Sequence, residues 1–184
     1  MEKLPELYKR FLEGDNSAFE EIIKLTSEKI VYYVLGFVGN YSDAEELMME
    51  SFETLIIKRP KLRSNGAFLS YLYKIAKSRV VTRFRKRRRT LPLETVWEVP
   101  VKVTPEEFLE RDERAEDVRA AMKKLSPDYR EVLYLEYFAG LSVKECAVVM
   151  KKNVKQVYNL SSRAKSAVRG ILGKEDGNEL FGKE

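Results

Sequence analysis

The 184-residue chain combines 34 lysines and arginines with 29 acidic residues, and its 44% of hydrophobic residues suffices for one or two small helical domains with real cores. It contains no histidine and a single cysteine, Cys146, which excludes internal disulfides, Ser-His-Asp triads, Cys-His dyads and zinc sites that use histidine. The first residues lack the apolar core of a signal peptide, and no later apolar run reaches the roughly 18 residues of a membrane span, so we expect a cytoplasmic protein without membrane insertion.

Two helices are predicted in the first forty residues. A short helix from Leu4 to Leu12 is broken by the polar stretch at 14–17, which also offers capping side chains for the next helix. Apolar residues then recur at three- and four-residue steps from Phe19 to Phe37, and Gly39 can end the helix that they form.

The third predicted helix separates an apolar stripe from a strongly acidic face. Ser42 is placed to cap its N-terminus, and Glu45 to complete a capping box. The apolar stripe consists of Ala44, Leu47, Met48, Ser51, Phe52 and Leu55, and the opposite face carries Asp43, Glu45, Glu46, Glu50 and Glu53. The Glu-x-x-His partner of helical di-metal sites is impossible without histidine, so we expect no metal or other cofactor. We interpret the acidic face as a docking surface.

A loop over residues 58–66 leads into an aromatic and basic helix that ends near Arg89. One face of this helix is apolar and consists of Phe68, Leu72, Ile75 and Ala76. The residues expected to be available for other contacts include Tyr71, Tyr73, Lys74 and Lys77. Aromatic rings beside cations suit unpaired bases, and the dense positive charge from Arg79 onward attracts polyanions. This stretch therefore predicts contact with DNA or RNA.

A segment with two prolines and no helical period follows, and we predict a linker over residues 90–111. Its Trp97 is interpreted as a latch against one domain in preference to a contact for a partner. Thr104 can cap a further helix that runs with breaks to Leu125. The polar end of the chain, residues 174–184, is predicted to be a disordered tail.

The C-terminal part predicts a helix-turn-helix. After a helix that restarts at Ser126, a short helix capped by Ser142, a turn at 151–153 and a longer helix from Val154 to about Leu172 follow one another. The longer helix should enter a major groove, with Val157, Leu160, Ala164 and Val168 facing inward. The residues expected to reach bases and phosphates are Lys155, Gln156, Tyr158, Asn159, Ser162 and Arg163. The predicted fold is all-α, with two small helical domains joined by an extended linker.

Four blocks, in this order, resemble the conserved segments of extracytoplasmic-function (ECF, group 4) sigma factors of the sigma-70 family. They read GDNSAFEEII, NYSDAEELMMESF, AFLSYLYKIAKSRV, and LSPDYREVLYLEYFAGLSVKECAVVM with KQVYNLSSRAK. The resemblance implies a non-enzymatic RNA polymerase sigma factor that binds core polymerase, recognises the minus-thirty-five element and opens the minus-ten element. It also implies a region 2 domain at 1–89 and a region 4 domain at 112–173. The implied partners are the clamp helices and flap of core polymerase, promoter DNA and an anti-sigma factor.

Roles for individual residues follow from the same resemblance. The implied polymerase-docking residues are Asp43, Glu46, Met49, Glu50 and Glu53. Those implied at the minus-ten element are Arg63, Ser64, Asn65, Tyr71, Lys74, Lys77, Ser78, Arg83, Arg85, Arg87 and Arg88. The chain departs from the family at Ser78 and Thr82, where Asn and Asp are common, and at Lys151, where a turn glycine is usual. Lys151 must therefore adopt a left-handed conformation, or the turn must differ.

Two other functions are kept as alternatives. A stand-alone helix-turn-helix regulator would bind a palindromic operator as a dimer without polymerase, but it leaves the acidic helix and the aromatic-basic stretch without a role. A basic RNA-binding or ribosome-associated protein would explain the run from Arg79 to Arg89, but it leaves the helix-turn-helix unused.

Overall fold

The computed structural model of the chain describes residues 4–90, 120–122 and 124–173, and of residues 88–90 the backbone only. Every regular element in these ranges is a helix, and the chain divides into two compact units, Met1–Lys102 and Val103–Glu184. The predicted all-α fold with two helical domains is thereby confirmed. The predicted linker with Trp97, most of the helix expected from Thr104, and the predicted tail lie outside the described residues.

Four helices build the first unit: α1 (Leu4–Leu12), α2 (Asn16–Val38), α3 (Tyr41–Lys58) and α4 (Asn65–Thr90). α2 packs against α1 and α3, and α4 packs against α3, α2 and α1. The predicted apolar stripe of α3 is buried in the core between them.

Short-range capping decides where α2 and α3 begin. The Asp15 side chain caps α2 by accepting from the backbone N–H of Ser17 at 3.0 Å, and Gly39 ends the helix in the left-handed conformation, as predicted. The predicted cap of α3 is wrong. Asn40 caps this helix, because its Oδ1 accepts from the backbone N–H of Asp43 at 2.8 Å, and Ser42 is an exposed residue of the first turn.

The core of the first unit takes up more of α4 than the sequence predicts. Phe68, Leu72 and Ala76 are fully buried, as expected, but Tyr73 is fully buried too and is not available for a partner. Its ring meets that of Tyr33 on α2 edge-on, with 5.0 Å between the ring centroids. Since α4 is covered by three other helices, a broader face than one stripe is buried.

The second unit contains α5 (Pro127–Leu133), a π-helical segment (Tyr134–Phe138), α6 (Val143–Met150) and α7 (Val154–Leu172). Ser126, where a helix was expected to restart, caps α5, and Ser142 caps α6 in a reciprocal capping box with Glu145, so the predicted cap at Ser142 is confirmed. The spacing of apolar residues in the sequence does not predict the π-helical segment. In it the backbone N–H of Ala139 donates to the carbonyl oxygen of Tyr134, five residues back, at 3.0 Å.

The predicted helix-turn-helix is present in α6 and α7. Lys151 ends α6 with φ 54° and ψ 41°, so a lysine does occupy the left-handed position at which the family commonly has glycine. Asn153 caps α7. Cys146 is fully buried on the inner face of α6, and burial raises the pKa of its thiol to about 12, so it serves as a packing residue.

Candidate polymerase and nucleic-acid surfaces

The acidic face of α3 divides into a paired and an open part. Met49 is 57% exposed, and Glu53 is also exposed and makes no ion pair with the described residues. Ile57, one turn further on, is 80% exposed, and it extends the apolar part of this surface. Ile57 was not predicted as part of this surface, although its position eight residues after Met49 could have indicated it.

The paired part of α3 faces α4. Arg83 donates to Glu46 at 2.8 Å and to Asp43 at 3.2 Å, and it lies 3.6 Å from Glu50. Further contacts are made at the two ends, between Arg87 and Asp43 at 2.5 Å and between Arg79 and Glu50 at 3.6 Å. We call this set the ionic seam; its members are Asp43, Glu46 and Glu50 on α3 and Arg79, Arg83 and Arg87 on α4.

Helix geometry explains the seam. The three arginines recur every fourth residue and therefore lie along one side of α4, and the three carboxylates recur at three- and four-residue steps on α3. The pairing runs in opposite directions along the two helices, since Asp43 meets Arg87 while Glu50 meets Arg79. The seam thus combines two residue sets that the sequence analysis assigned to different partners.

Asp43 is the most enclosed carboxylate of the seam, with a side chain that is 17% exposed. It accepts hydrogen bonds from the Asn40 amide at 2.7 Å and from both Arg83 and Arg87. These donors, that of Asn40 first, hold the pKa of the Asp43 carboxyl below its ordinary value. Asp43 therefore braces the start of α3 against α4, and this role leaves its carboxylate little surface for a partner.

The residues predicted to hold DNA lie on two different sides of α4. Lys74, Ser78 and Arg85 are exposed, and Tyr71 and Lys77 are half-buried beside them. Arg83 projects about 160° away from Arg85, because consecutive residues of an α-helix are about 100° apart. We call Tyr71, Lys74, Ser78 and Arg85 the open stripe of α4. The side chain of Arg88 lies outside the described residues.

The loop before α4 borders a cavity of about 690 Å³ that α1 also lines. Ser64 caps α4 by accepting from the backbone N–H of Ala67 at 3.1 Å, and Asn65 accepts from the backbone N–H of Leu4 at 3.0 Å. Arg63 is exposed and makes no ion pair with any described residue. Two of the three predicted loop residues thus have structural roles, and Arg63 is an exposed cation in the lining of the cavity.

Most of the residues predicted to read duplex DNA are exposed on α7. Tyr158 is 66% exposed, Lys155, Asn159 and Arg163 are exposed, and Ser162 is half-buried. The side chain of Gln156 is engaged, because its Oε1 accepts from the backbone N–H of Asn153 at 2.9 Å in a capping box.

The inner face of α7 contains one polar residue that the sequence analysis missed. Val157, Ala164 and Val168 are fully buried, whereas Leu160 is only half-buried and Ser161 takes the inward position. The Ser161 hydroxyl donates to Glu136 of the π-helical segment at 2.5 Å. The three- and four-residue steps from Val157 to Val168 pass through Ser161, and this spacing could have revealed it.

Among the described residues, no helix is long and apolar enough to cross a membrane, and no group of three or more acidic or cysteine side chains is arranged to hold a metal ion.

Comparison with known proteins assigns both units. The family model of sigma-70 region 2 matches residues 9–90, and that of sigma-70 region 4 matches residues 115–168. The ECF RNA polymerase sigma factor SigW of Bacillus subtilis is 26% identical, over 89% of this chain and 94% of that protein. The RNA polymerase sigma-H factor of Pseudomonas aeruginosa is 27% identical, over 91% of this chain and 92% of that protein.

Solved structures show the same fold. The sigma factor RpoE of Bartonella quintana, in complex with the anti-sigma factor NepR, aligns with a TM-score of 0.67 at 20% identity, over 85% of this chain and 98% of that one. CnrH, in complex with the cytosolic domain of CnrY, aligns with a TM-score of 0.62 at 18% identity, over 93% of this chain and 97% of that one. With both sigma regions matched in order along a chain of this fold, the protein belongs to the ECF RNA polymerase sigma factors of the sigma-70 family.

Proposed function

We propose that this sigma factor binds core RNA polymerase through α3, opens the minus-ten element with α4 and its preceding loop, and reads the minus-thirty-five element with α7. The observation that carries the proposal is the division of the first unit into an exposed acidic and apolar surface on α3 and a stripe on α4 in which exposed basic residues lie beside the half-buried Tyr71. A stand-alone operator-binding protein has no use for either surface. The proposed domain bounds are residues 1–89 for region 2 and 112–173 for region 4, and the proposed location is the cytoplasm.

The polymerase contact is assigned to Glu46, Glu50 and Glu53, with Met49 and Ile57 supplying apolar area. Carboxylates at such an interface favour the encounter with a basic partner and its specificity more than the final affinity. Reversing the charge of Glu46 and Glu50 to lysine is expected to weaken binding to core polymerase without loss of helical circular dichroism. Unchanged co-elution of this variant with core enzyme would contradict the assignment.

Promoter opening is assigned to the loop cavity and the open stripe. The cavity of about 690 Å³ falls within the range of roughly 300–1,000 Å³ typical of small-ligand pockets, so a base extruded from the duplex can enter it. Extrusion costs a few kcal/mol, which contacts of the base to the cavity lining, Arg63 included, and contacts of the adjacent strand to Tyr71 and Lys74 must offset. Arg85 is placed to contribute to binding of any phosphate backbone, single or double stranded.

Duplex reading is assigned to the exposed half of α7. Lys155 and Arg163 are proposed to hold phosphates, and Tyr158 and Asn159 to contact base edges, with Ser162 beside them. Gln156 can contribute to base reading only through its amide nitrogen, because its oxygen caps the helix. An anti-sigma factor is a further proposed partner, since the solved structure of RpoE from Bartonella quintana is a complex with the anti-sigma factor NepR.

Run-off transcription with purified core polymerase across a promoter library tests the function as a whole. The sigma factor is expected to generate new start sites that core polymerase alone does not use. Binding of a palindromic duplex with no new start sites would instead support the stand-alone regulator.

A further inference from the structure

The ionic seam places side chains assigned to two partners in contact with each other. Glu46 and Glu50 belong to the proposed polymerase surface, and Arg83 and Arg87 were assigned to DNA. In the chain by itself these groups neutralise one another, because three carboxylates face three guanidinium groups.

Arg83 is the centre of this arrangement. Its side chain is 19% exposed and lies within 4 Å of three carboxylates, so it cannot hold a phosphate without giving up some of these contacts. Glu46 is the most exposed of its partners, with a side chain that is 57% exposed. Because solvent screens the carboxylate of Glu46, its ion pair with Arg83 is weak enough for a polyanion or a basic protein surface to displace it.

The seam is open to such competitors. A cleft of about 390 Å³ runs along it, lined by Glu46, Glu50 and Glu53 on one side and Arg79, Arg83 and Lys86 on the other. A cation from one partner and a phosphate from another can therefore enter the same cleft. Each of them would bind to one half of an existing pair.

We propose that the ionic seam couples the two binding events, so that a basic polymerase surface on Glu46 and Glu50 releases Arg83 for DNA phosphates, and DNA in turn releases the carboxylates for polymerase. This inference rests on the proposed function. The coupling is reciprocal, because each partner shifts the same equilibrium between paired and released arginine. The carboxylates of α3 thus lower the DNA affinity of the sigma factor before it joins polymerase.

Neutralising one carboxylate at a time in the full chain tests the seam. Glu46→Gln breaks the closest contact of Arg83, whereas Glu45→Gln removes the same charge from an exposed neighbour that makes no ion pair with the described residues. We expect Glu46→Gln to raise the affinity for a labelled single-stranded oligonucleotide about two- to fivefold more than Glu45→Gln does. For Glu46→Gln, the slope of the logarithm of the binding constant against the logarithm of the salt concentration should steepen by about 0.7, the value for one additional phosphate contact on a single strand.

Adding Arg83→Gln to Glu46→Gln should abolish the extra gain, since the released guanidinium is then missing. Binding to core polymerase provides the reciprocal measurement: Arg83→Gln should strengthen it, and Arg85→Gln, with the same change of charge, should not. Circular dichroism confirms the fold of each variant, and Glu50→Gln replaces Glu46→Gln if that variant is unfolded.

Equal oligonucleotide affinities for Glu45→Gln and Glu46→Gln would overturn the coupling and leave the seam as a structural brace. That outcome is independent of the run-off assay, which decides whether the chain acts as a sigma factor at all. Promoter-specific transcripts together with equal affinities would retain the proposed function and reject the coupling.

Discussion

Replacing Lys151 by glycine should stabilise the helix-turn-helix unit. Lys151 is in the left-handed region, with φ 54° and ψ 41°, where the Cβ of a non-glycine residue costs about 1–2 kcal/mol. Its side chain is exposed and makes no ion pair with the described residues, so the substitution removes no contact of that kind. Relief of the backbone strain is therefore the main effect in the folded state.

The opposing effect is the greater freedom of glycine in the unfolded chain, which costs about 0.5–1 kcal/mol. Around the middle of these two ranges, the difference is a net gain of about 0.5–1 kcal/mol in the free energy of unfolding. One kcal/mol shifts Tm by about 4–8 °C in a domain of 60–100 residues, so the transition of this unit should rise by about 2–8 °C. Thermal denaturation of the full chain, followed by circular dichroism, measures the shift.

Two glycines in the same unit are matched controls. Gly140 has φ 69°, so Gly140→Ala introduces the strain that Lys151→Gly removes and should lower Tm. Gly170 lies inside α7, and a Cβ added there meets nothing within 4 Å, so Gly170→Ala should raise Tm through helix propensity alone. A Lys151→Gly variant that melts at or below the wild-type temperature, while Gly170→Ala melts higher, would refute the strain argument.

Three further predictions concern DNA reading, promoter opening and acid stability. Asn159→Ala should change the preferred sequence selected from random duplex DNA, at roughly 1–3 kcal/mol per lost bidentate contact. Lys155→Ala should instead weaken binding to all sequences alike. Identical selected sites for both variants would exclude base reading by Asn159. Arg63→Ala should abolish permanganate-detected promoter opening but retain closed-complex binding, and normal opening would place base capture elsewhere. Hydrogen bonds from Ser17 and Arg10 lower the pKa of Asp15 from 3.8 to about 2, so the ionised cap stabilises α2 fully above about pH 4 and less as the pH falls towards 2. Asp15→Asn should flatten this part of an acid titration followed by circular dichroism, and an unchanged curve would show that the cap does not contribute.

Short-range signals predicted much of the local structure. The bounds of α1 and α7, the left-handed end of α2 at Gly39 and the cap of α6 at Ser142 all depend on residues within one helical turn. The cap of α3 was predicted at Ser42 and is instead Asn40, a residue of an equally favourable type, and the sequence does not show which of the two lies outside the helical conformation.

A regular helical period does not predict side-chain burial correctly where a helix is irregular or where other helices cover it on several sides. Tyr137 lies in the π-helical segment and is 44% exposed; that segment changes the angular step between residues, so a regular helical period does not place its side chain. Tyr73 was expected to be available and is fully buried, because three helices surround α4.

The sequence by itself determined the all-α class, the order of the helices, the helix-turn-helix and the family, because these depend on local propensity and on motifs contiguous in the chain. Only the tertiary structure decided that Arg83 and Arg87 face the carboxylates of α3 while Arg85 faces solvent. In the sequence these arginines form one basic run. The packing of α3 against α4 separates them, because side chains two residues apart project to nearly opposite sides of a helix and only one of those sides meets Asp43 and Glu46.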